Sequence, residues 1–307
     1  MNEPDPLEAL LRRRLKALVR DLPSAREGNA GALHRTRVAS RRMRAALPFL
    51  EVSFKPLKMG RVRRKTRGLT KALGQVRELD VALGILEEFS NETKARQRVV
   101  ARVGASVEKR RSEFRRAMLR RLEHLAPERL VGDLAEKLDR RTESGADETW
   151  RERLSVQLGR RAHKVREAIG EAGVLFVPVR LHQVRIALKK LRYALELANE
   201  TGVTRSPRTL KTLKRGQDLL GRLHDLDVLS DLVTAVRDDA PAGATTRELD
   251  ALLLELAADA RQLHGRYVAT RGRIDMICRA MDGLSRRLRA AERNDGDDVT
   301  ASTRQAS

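Results

Sequence analysis

The sequence contains a single cysteine and very few aromatic residues. Cys278 is the only thiol in 307 residues, which excludes an intrachain disulfide and any metal cluster built on cysteine. Aromatic side chains make up 3% of the chain, too few to provide a stacking platform for bases. No segment approaches the roughly 20 consecutive apolar residues of a membrane span, and the N-terminus has no apolar signal core. We therefore expect a soluble cytoplasmic protein.

Charged residues are abundant, and most of them are basic. They make up 35% of the chain, with 64 Lys and Arg against 42 Asp and Glu, so the formal net charge is +22. The apolar residues are mostly Leu, Ala and Val, which together with Arg and Glu favour helices. The composition therefore predicts an all-α protein, and the charge makes a polyanion the first partner to consider.

A cationic pattern, H-x-x-R-x-x-x-[RK]-[RK]-x-R, occurs twice, once from His34 and once from His182. On a helix, at about 100° per residue, its basic side chains fall on one side and apolar side chains fall on the other. The first row consists of His34, Arg37, Arg41 and Arg44. The second row consists of His182, Arg185, Lys189 and Arg192. Arg42 and Lys190 belong to the same pattern and are also expected to bind the anion. Each copy is predicted to be a helix with an apolar back and a cationic front.

The order of helices around the pattern also repeats. In each half, an apolar-striped helix comes before the pattern, and a basic helix follows it. That basic helix leads to a Leu-Gly segment containing Glu78 and Asp80 in the first half, and Asp225 and Asp227 in the second. Such a repeat predicts two antiparallel four-helix bundles related by a pseudo-twofold axis. The predicted division is a first half at 1–142, a linker at 143–149, a second half at 150–290 and a disordered tail at 291–307.

The boundaries of the individual helices follow from proline, glycine and apolar periodicity. The sequence predicts helices at 7–26, from the first pattern to 52, and at 56–89, 91–125, 128–140, 150–172 and 246–289. Further helices are predicted to begin at Pro178 and Pro207. Trp150 is interpreted as a residue that packs between the two halves.

The basic helices that follow each pattern extend the predicted cationic surface. In the first half this helix carries Lys58, Arg61, Arg64, Lys65 and Lys71, and in the second it carries Arg208, Lys211, Lys214 and Arg215. Glu51 is the one carboxylate between Gly31 and Lys71. A helix face with so few opposite charges repels itself, which favours a functional reading over a merely solvated face.

The histidines and carboxylates of the repeat have alternative interpretations. His34 and His182 are either ordinary residues at a helix surface or ligands of an anion whose charge favours the imidazolium form. Asp80 and Asp227 are expected to support the site by holding an arginine of a facing helix, or alternatively to bridge a divalent metal to phosphate. Tyr193 is a supporting residue beside the second row. We expect no metal among the histidines, because no carboxylate or second histidine lies one turn away, and no cofactor.

At these residues the chain resembles the CHAD family, the conserved histidine α-helical domain. The resemblance covers about 7–290 and depends on both copies of the pattern and both Leu-Gly segments. It implies two four-helix bundles facing each other across a basic groove or pore that binds inorganic polyphosphate, often on polyphosphate granules. Some members carry a CYTH triphosphatase domain ahead of the helices. The N-terminus here has no E-x-E-x-K signature, so the chain resembles a stand-alone binding module.

Three functions remain at this stage. The first is binding of inorganic polyphosphate without chemistry, in a groove lined by both rows and the basic helices that follow them. The second is non-specific binding of nucleic acid, which shares the charge but lacks a recognisable reading motif. The third is an enzyme, either a phosphatase or a phosphohistidine carrier, which would need an orienting partner for His34 or His182 that the local sequence does not supply.

Overall fold

A computed structural model describes the backbone of residues 6–53, 59–90, 93–139 and 149–305. These ranges contain ten α-helices and no strand, so the all-α prediction is confirmed for them. The helices are α1 (Pro6–Arg20), α2 (Leu22–Glu27), α3 (Ala30–Ser53), α4 (Gly60–Glu88), α5 (Lys94–Leu125), α6 (Pro127–Asp139), α7 (Thr149–Ala172), α8 (Pro178–Glu200), α9 (Pro207–Asp238) and α10 (Ala244–Gln305). None of the helices within these ranges has the length and hydropathy needed to cross a membrane.

Local sequence explains most of the helix ends. Pro178 and Pro207 occupy the first turns of α8 and α9, where a missing N–H costs nothing. The single helix predicted over 7–26 is wrong, because α1 ends at Arg20 and α2 begins at Leu22. Pro23 lies in the first turn of α2, and its ring and missing N–H prevent the preceding helix from continuing. Gly28 then ends α2 with a left-handed φ of 106°.

Several sequence-based expectations concern residues outside the described ranges. Lys58 and the predicted helix start at Pro56 lie in the gap 54–58, and nearly all of the predicted linker lies in the gap 140–148. The division into halves at 142 and 150 therefore remains a prediction. The backbone of α10 continues as a helix to Gln305, through most of the range for which the composition predicts a disordered tail.

The buried apolar residues join the two halves of the sequence. One core cluster runs from Leu7 of α1, through Phe49 of α3 and Trp150 of α7, to Met281 of α10. A smaller cluster, which includes Leu22, packs the ends of the first-half helices. Trp150 is 1% exposed within the shared cluster, as expected for a residue that packs between the halves. The two halves therefore share a core rather than each building its own.

The helix contacts bring the two cationic patterns together. In the second half α7 contacts α8, α8 contacts α9, α9 contacts α10, and α10 contacts α7. In the first half α3 packs on α1 and α4, and α6 contacts both α1 and α4. Between the halves α3 contacts α7 and α8, while α4 contacts α9. The two helices that carry the rows are therefore direct neighbours.

Candidate anion-binding site

The cationic fronts of α3 and α8 face each other closely enough to perturb one another. Burial, together with the charge of Arg41 and, across the helix pair, that of Arg185, lowers the pKa of Arg37 to about 10 even though Glu78 opposes the shift. Burial also lowers the pKa of Arg185, and the charge of Arg41 acts in the same direction. Two arginines that are far apart in sequence thus share one electrostatic environment.

Lys189 of α8 lies at the centre of this environment. Burial, followed by the charges of Arg41, Arg185, Arg37 and Arg44, lowers the pKa of its ammonium group to about 7. An ammonium group loses its proton this readily when neighbouring cations and poor solvation both disfavour the charged form. In the absence of an anion, the site therefore holds more positive charge than its surroundings can stabilise.

A cavity of about 380 Å³ opens at this point between α3, α4, α7 and α8. We call it the central cavity. Its lining includes five cationic side chains and no carboxylate: Arg41, Arg44, Arg161, Lys189 and Lys190. Thr70 and Tyr193 also line the central cavity. Cations without carboxylates around an open cavity form an arrangement suited to binding an anion.

The three histidines near the rows are held towards their neutral form. Burial, followed by the charge of Arg77, lowers the pKa of His34, and burial followed by the charge of Arg185 lowers that of His182. His224 of α9 lies with its ring centroid 4.8 Å from that of His182. Burial and the charges of Arg185, His182, Lys189 and Arg37 lower the pKa of His224 to about 4. All three pKa values would rise if an anion bound beside them.

The sequence profile of the CHAD domain matches residues 9–234, about three quarters of the chain. The chain belongs to the CHAD family. Two solved structures are similar to it: the CHAD domain from the plant Ricinus communis, at 22% identity and a TM-score of 0.64 over 87% of this chain and 90% of that one, and PptA from Streptomyces chartreusis, at 18% identity and a TM-score of 0.61 over 87% of this chain and 98% of that one. No curated protein matches it in sequence. At these identities the likeness concerns the CHAD fold alone.

One carboxylate of each Leu-Gly segment in this CHAD domain faces the rows. Glu78 accepts a hydrogen bond from Arg37 at 3.4 Å, and Arg37 also lies over Gly74, which leaves room for its guanidinium group. In the second half the corresponding carboxylate is Asp225, which lies near Arg185. Burial raises the pKa of Asp225 in spite of that arginine.

Asp80 and Asp227, which are both predicted to support the site, differ in their contacts. Asp80 is buried and accepts a hydrogen bond from Arg111 of α5 at 2.6 Å, so it does hold an arginine of a facing helix. Asp227 is exposed and, in the part of the chain that the structure describes, makes no ion pair with an arginine. The role expected of Asp227 therefore stays a prediction, while Asp225, about 200° away around α9, is the carboxylate that lies near Arg185. The described residues contain no group of three His, Cys, Asp or Glu placed to hold a metal ion.

The two rows differ at their ends. Arg192 donates to Gln217 at 2.7 Å and to Glu196, and its guanidinium group lies 4.6 Å from the centroid of the buried Tyr193 ring. Glu196 also accepts from Arg42 at 3.3 Å. The corresponding position of the first row, Arg44, lines the central cavity and has no ion pair among the described residues. Arg192 is therefore occupied within the protein, whereas Arg44 is free for a ligand.

The basic side chains predicted on the helices that follow the patterns lie outside the lining of the central cavity, so their role in a wider groove stays a prediction. The structure brings none of the following side chains to the central cavity: Arg61, Arg64, Lys65, Lys71, Arg208, Lys211, Lys214 and Arg215. About 80° or more of rotation around the helix separates the residues that face the rows from Arg61, Lys65, Arg208 and Arg215. Lys214 lies ten residues, about 15 Å, along α9 from His224 and pairs with Asp218 at 2.6 Å.

Sequence reasoning missed several cationic residues near the rows. Arg161 of α7 lines the central cavity and donates to the backbone oxygen of Lys190 at 2.9 Å. Arg67 acts on the pKa of Arg44, and Arg77 acts on that of His34. The internal repeat could have revealed two of the missed residues, because a shift of 147 residues pairs Arg77 with His224, both basic and both beside the rows.

Proposed function

We propose that this CHAD domain binds inorganic polyphosphate in the central cavity and along the two rows that meet there. The observation that carries the proposal is the lining of that cavity, five cationic side chains without a carboxylate. Arginine guanidinium groups offer forked hydrogen bonds to phosphate oxygens, and a lysine adds a compact charge. Burial and the repulsion of neighbouring cations lower the pKa of Lys189 to about 7, and a bound phosphate chain would offset that repulsion.

An extended anion fits better than a single phosphate. Each row runs through about three turns of its helix, at roughly 5.4 Å per turn, so the cations follow a line rather than surround a point. We propose that the halves are related by a pseudo-twofold axis and form two bundles around a basic groove. In the repeat, Arg37 corresponds to Arg185 and Arg41 corresponds to Lys189 at a shift of 148 residues. This correspondence supports the arrangement.

We propose binding without catalysis. A histidine that attacks or carries phosphate needs a hydrogen-bonded partner to orient it. Within the described residues, the side chains of His34 and His182 make no hydrogen bond to a carboxylate, and His182 instead lies against His224. The domain would then act as a binding module in the cytoplasm, where it would place the protein on polyphosphate granules.

Calorimetry tests this function. The protein is titrated with medium-length polyphosphate at a low and a high salt concentration, and with DNA of equal phosphate content. We expect tight binding of polyphosphate that weakens steeply with salt, and much weaker binding of DNA. Equal binding of both would support the nucleic-acid function instead, and no binding of either would mean that only the fold is shared. Unchanged affinity in EDTA would rule out a divalent metal bridge from Asp80 or Asp227.

A charge-reversal variant locates the site. Arg41→Glu/Arg44→Glu should weaken polyphosphate binding at least a hundredfold while helix content, measured by circular dichroism, stays the same. The matched control is Lys109→Glu/Arg116→Glu on the exposed side of α5, which makes the same change in net charge. Equal losses in both variants would show that net charge, rather than the central cavity, sets the affinity.

A further inference from the structure

A second cationic groove lies outside the central cavity, between α1 and α3. It has a volume of about 380 Å³, and the basic part of its lining is Arg13, Arg14, Arg20, His34, Arg35 and Arg42. Glu200, at the end of α8, is the one carboxylate in the lining. We call this the α1–α3 groove. The arginines of α1 lie outside the repeated cationic pattern, so the sequence pattern does not predict their place beside the rows.

The arginines outnumber the carboxylates that reach them. Arg20 and Arg35 share Asp21, at 3.1 and 2.8 Å. Arg14 is nearly buried and contacts Glu200 at 3.2 Å, while its Nε is buried without a hydrogen-bond partner. Arg13 is exposed and has no ion pair in the described parts of the chain. With Arg42 held by Glu196, three carboxylates serve five guanidinium groups.

The equivalent groove of the second half shows that the fold does not require this charge. It lies between α7 and α8 and has nearly the same volume, about 370 Å³. At the shift of 147 residues that aligns α1 with α7, Arg20 becomes Glu167, and at the shift of 148 that aligns α3 with α8, Arg35 becomes Gln183. Glu167 and Glu171 also line the second groove. The same place in the fold is thus strongly cationic in one half and mixed in charge in the other.

His34 connects the α1–α3 groove to the rows. It lines the groove, while its pKa responds to Arg77, Arg37 and Arg41 on the side of the central site. From Arg13 to Arg20 and from Arg35 to Arg42 the groove extends two turns, about 10 Å. An extended anion seated along the first row therefore has a continuous line of cations that leads past His34 into the groove.

We propose that the α1–α3 groove is a second subsite for a condensed phosphate chain that extends beyond the central cavity. This inference rests on the proposed function and adds the path of the bound phosphate chain. The chain would leave the central cavity towards α1 rather than towards α7. Affinity then increases with chain length, since a short chain fills the central cavity alone and a long chain also reaches Arg13 and Arg35.

The test compares tripolyphosphate with long-chain polyphosphate on the variant Arg13→Ala/Arg35→Ala. Arg20 is kept so that Asp21 retains a partner. We expect affinity for the long chain to fall about tenfold, with the slope of log affinity against log salt reduced by about 2, while affinity for tripolyphosphate is unchanged. The matched control is Lys109→Ala/Arg116→Ala on α5, which removes the same charge from an exposed face and should change long-chain affinity much less.

A reciprocal variant tests the second-half groove. Glu167→Gln/Glu171→Gln/Gln183→Arg gives it a charge closer to that of the α1–α3 groove, and long-chain affinity should rise severalfold. The inference is overturned if Arg13→Ala/Arg35→Ala matches its control, or if it weakens both ligands equally. If the wild-type protein binds neither ligand, the proposed function itself fails, which is a different result from either of these.

Discussion

At the residue scale, Lys189 and His224 show how the site lowers the pKa values of its basic side chains. In the folded protein without ligand, the pKa of Lys189 is about 7 against an ordinary value of 10.5, and that of His224 is about 4 against 6.5. The unfolded chain therefore binds more protons than the folded chain between each pair of values. The free energy of unfolding rises with pH wherever this holds.

We expect the ligand-free protein to become more stable as pH rises from about 4 to 6.5 through His224 and from about 7 to 10.5 through Lys189. Thermal denaturation across this range measures the trend. Lys189→Met should remove the upper part of the rise, whereas Lys109→Met on α5 should leave it in place. A stability that falls with pH between 7 and 9 in the wild-type protein would contradict the environment assigned to Lys189.

Binding of polyphosphate should reverse the proton balance at the same residues. An anion beside Lys189 and the histidines favours their charged forms, so the complex takes up protons when it forms. Affinity is then expected to increase as pH falls from about 8 to 6, and the binding enthalpy should depend on the ionisation enthalpy of the buffer. An affinity that depends on pH in this way would show that the lowered pKa values matter for polyphosphate binding and do not reflect burial alone.

At the scale of single elements, α9 shows how closely the second half is packed. A Cβ on Gly216 would lie 2.6 Å from Cδ1 of Ile274 in α10 and 3.3 Å from Cδ2 of Leu188 in α8. Ile274 and Leu188 are fully buried, so neither can move without disturbing the core. Five residues further along α9, Gly221 has nothing within 4 Å of the same position.

Gly216→Ala and Gly221→Ala should therefore have opposite effects on stability. The first is expected to destabilise by about 1–2 kcal/mol, because overpacking outweighs the better helix propensity of alanine. The second should stabilise by up to about 1 kcal/mol through propensity alone. Chemical denaturation of both variants measures the difference. Equal stabilisation would mean that α8, α9 and α10 are less closely packed at Gly216 than the structure indicates.

Much of each element could be predicted from sequence, and the failures have local causes. Proline and glycine identify the starts of α8 and α9 and the end of α2. The break between α1 and α2 was missed because the apolar stripe continues through it, from Leu18 to Leu22, while Pro23 interrupts the backbone hydrogen bonds. Periodicity reports which side of a helix is apolar and says little about whether the helix is continuous.

At the scale of the whole molecule, a net charge of +22 gives salt two opposite effects. Raising salt screens the repulsion among cations in the ligand-free protein, since the Debye length falls below about 10 Å above 0.1 M. The same salt weakens binding of a polyanion, because the counterions released on association gain less entropy when the salt concentration in solution is already high. Raising the salt concentration should thus stabilise the free protein and weaken its complex with a polyanion.

We expect the melting temperature of the ligand-free protein to rise by a few degrees between about 50 and 300 mM NaCl, while polyphosphate affinity falls by two orders of magnitude or more. Scanning calorimetry and binding titrations over the same salt series measure both. Arg41→Ala/Lys189→Ala should flatten the two trends together, because both depend on the cations around the central cavity. If that variant flattens neither trend, the relevant charge lies elsewhere on the surface.

The sequence by itself determined the helical class, the two cationic rows and their apolar backs, because these depend on residues within a few turns of one another. Only the tertiary structure decided which basic side chains meet. It placed Arg161 and His224 at the site, and it paired Arg192 with Glu196. It also left Lys214 about 15 Å along α9 from His224. Helix periodicity is local, whereas the meeting of Arg37 with Arg185 depends on how helices pack across a shared core.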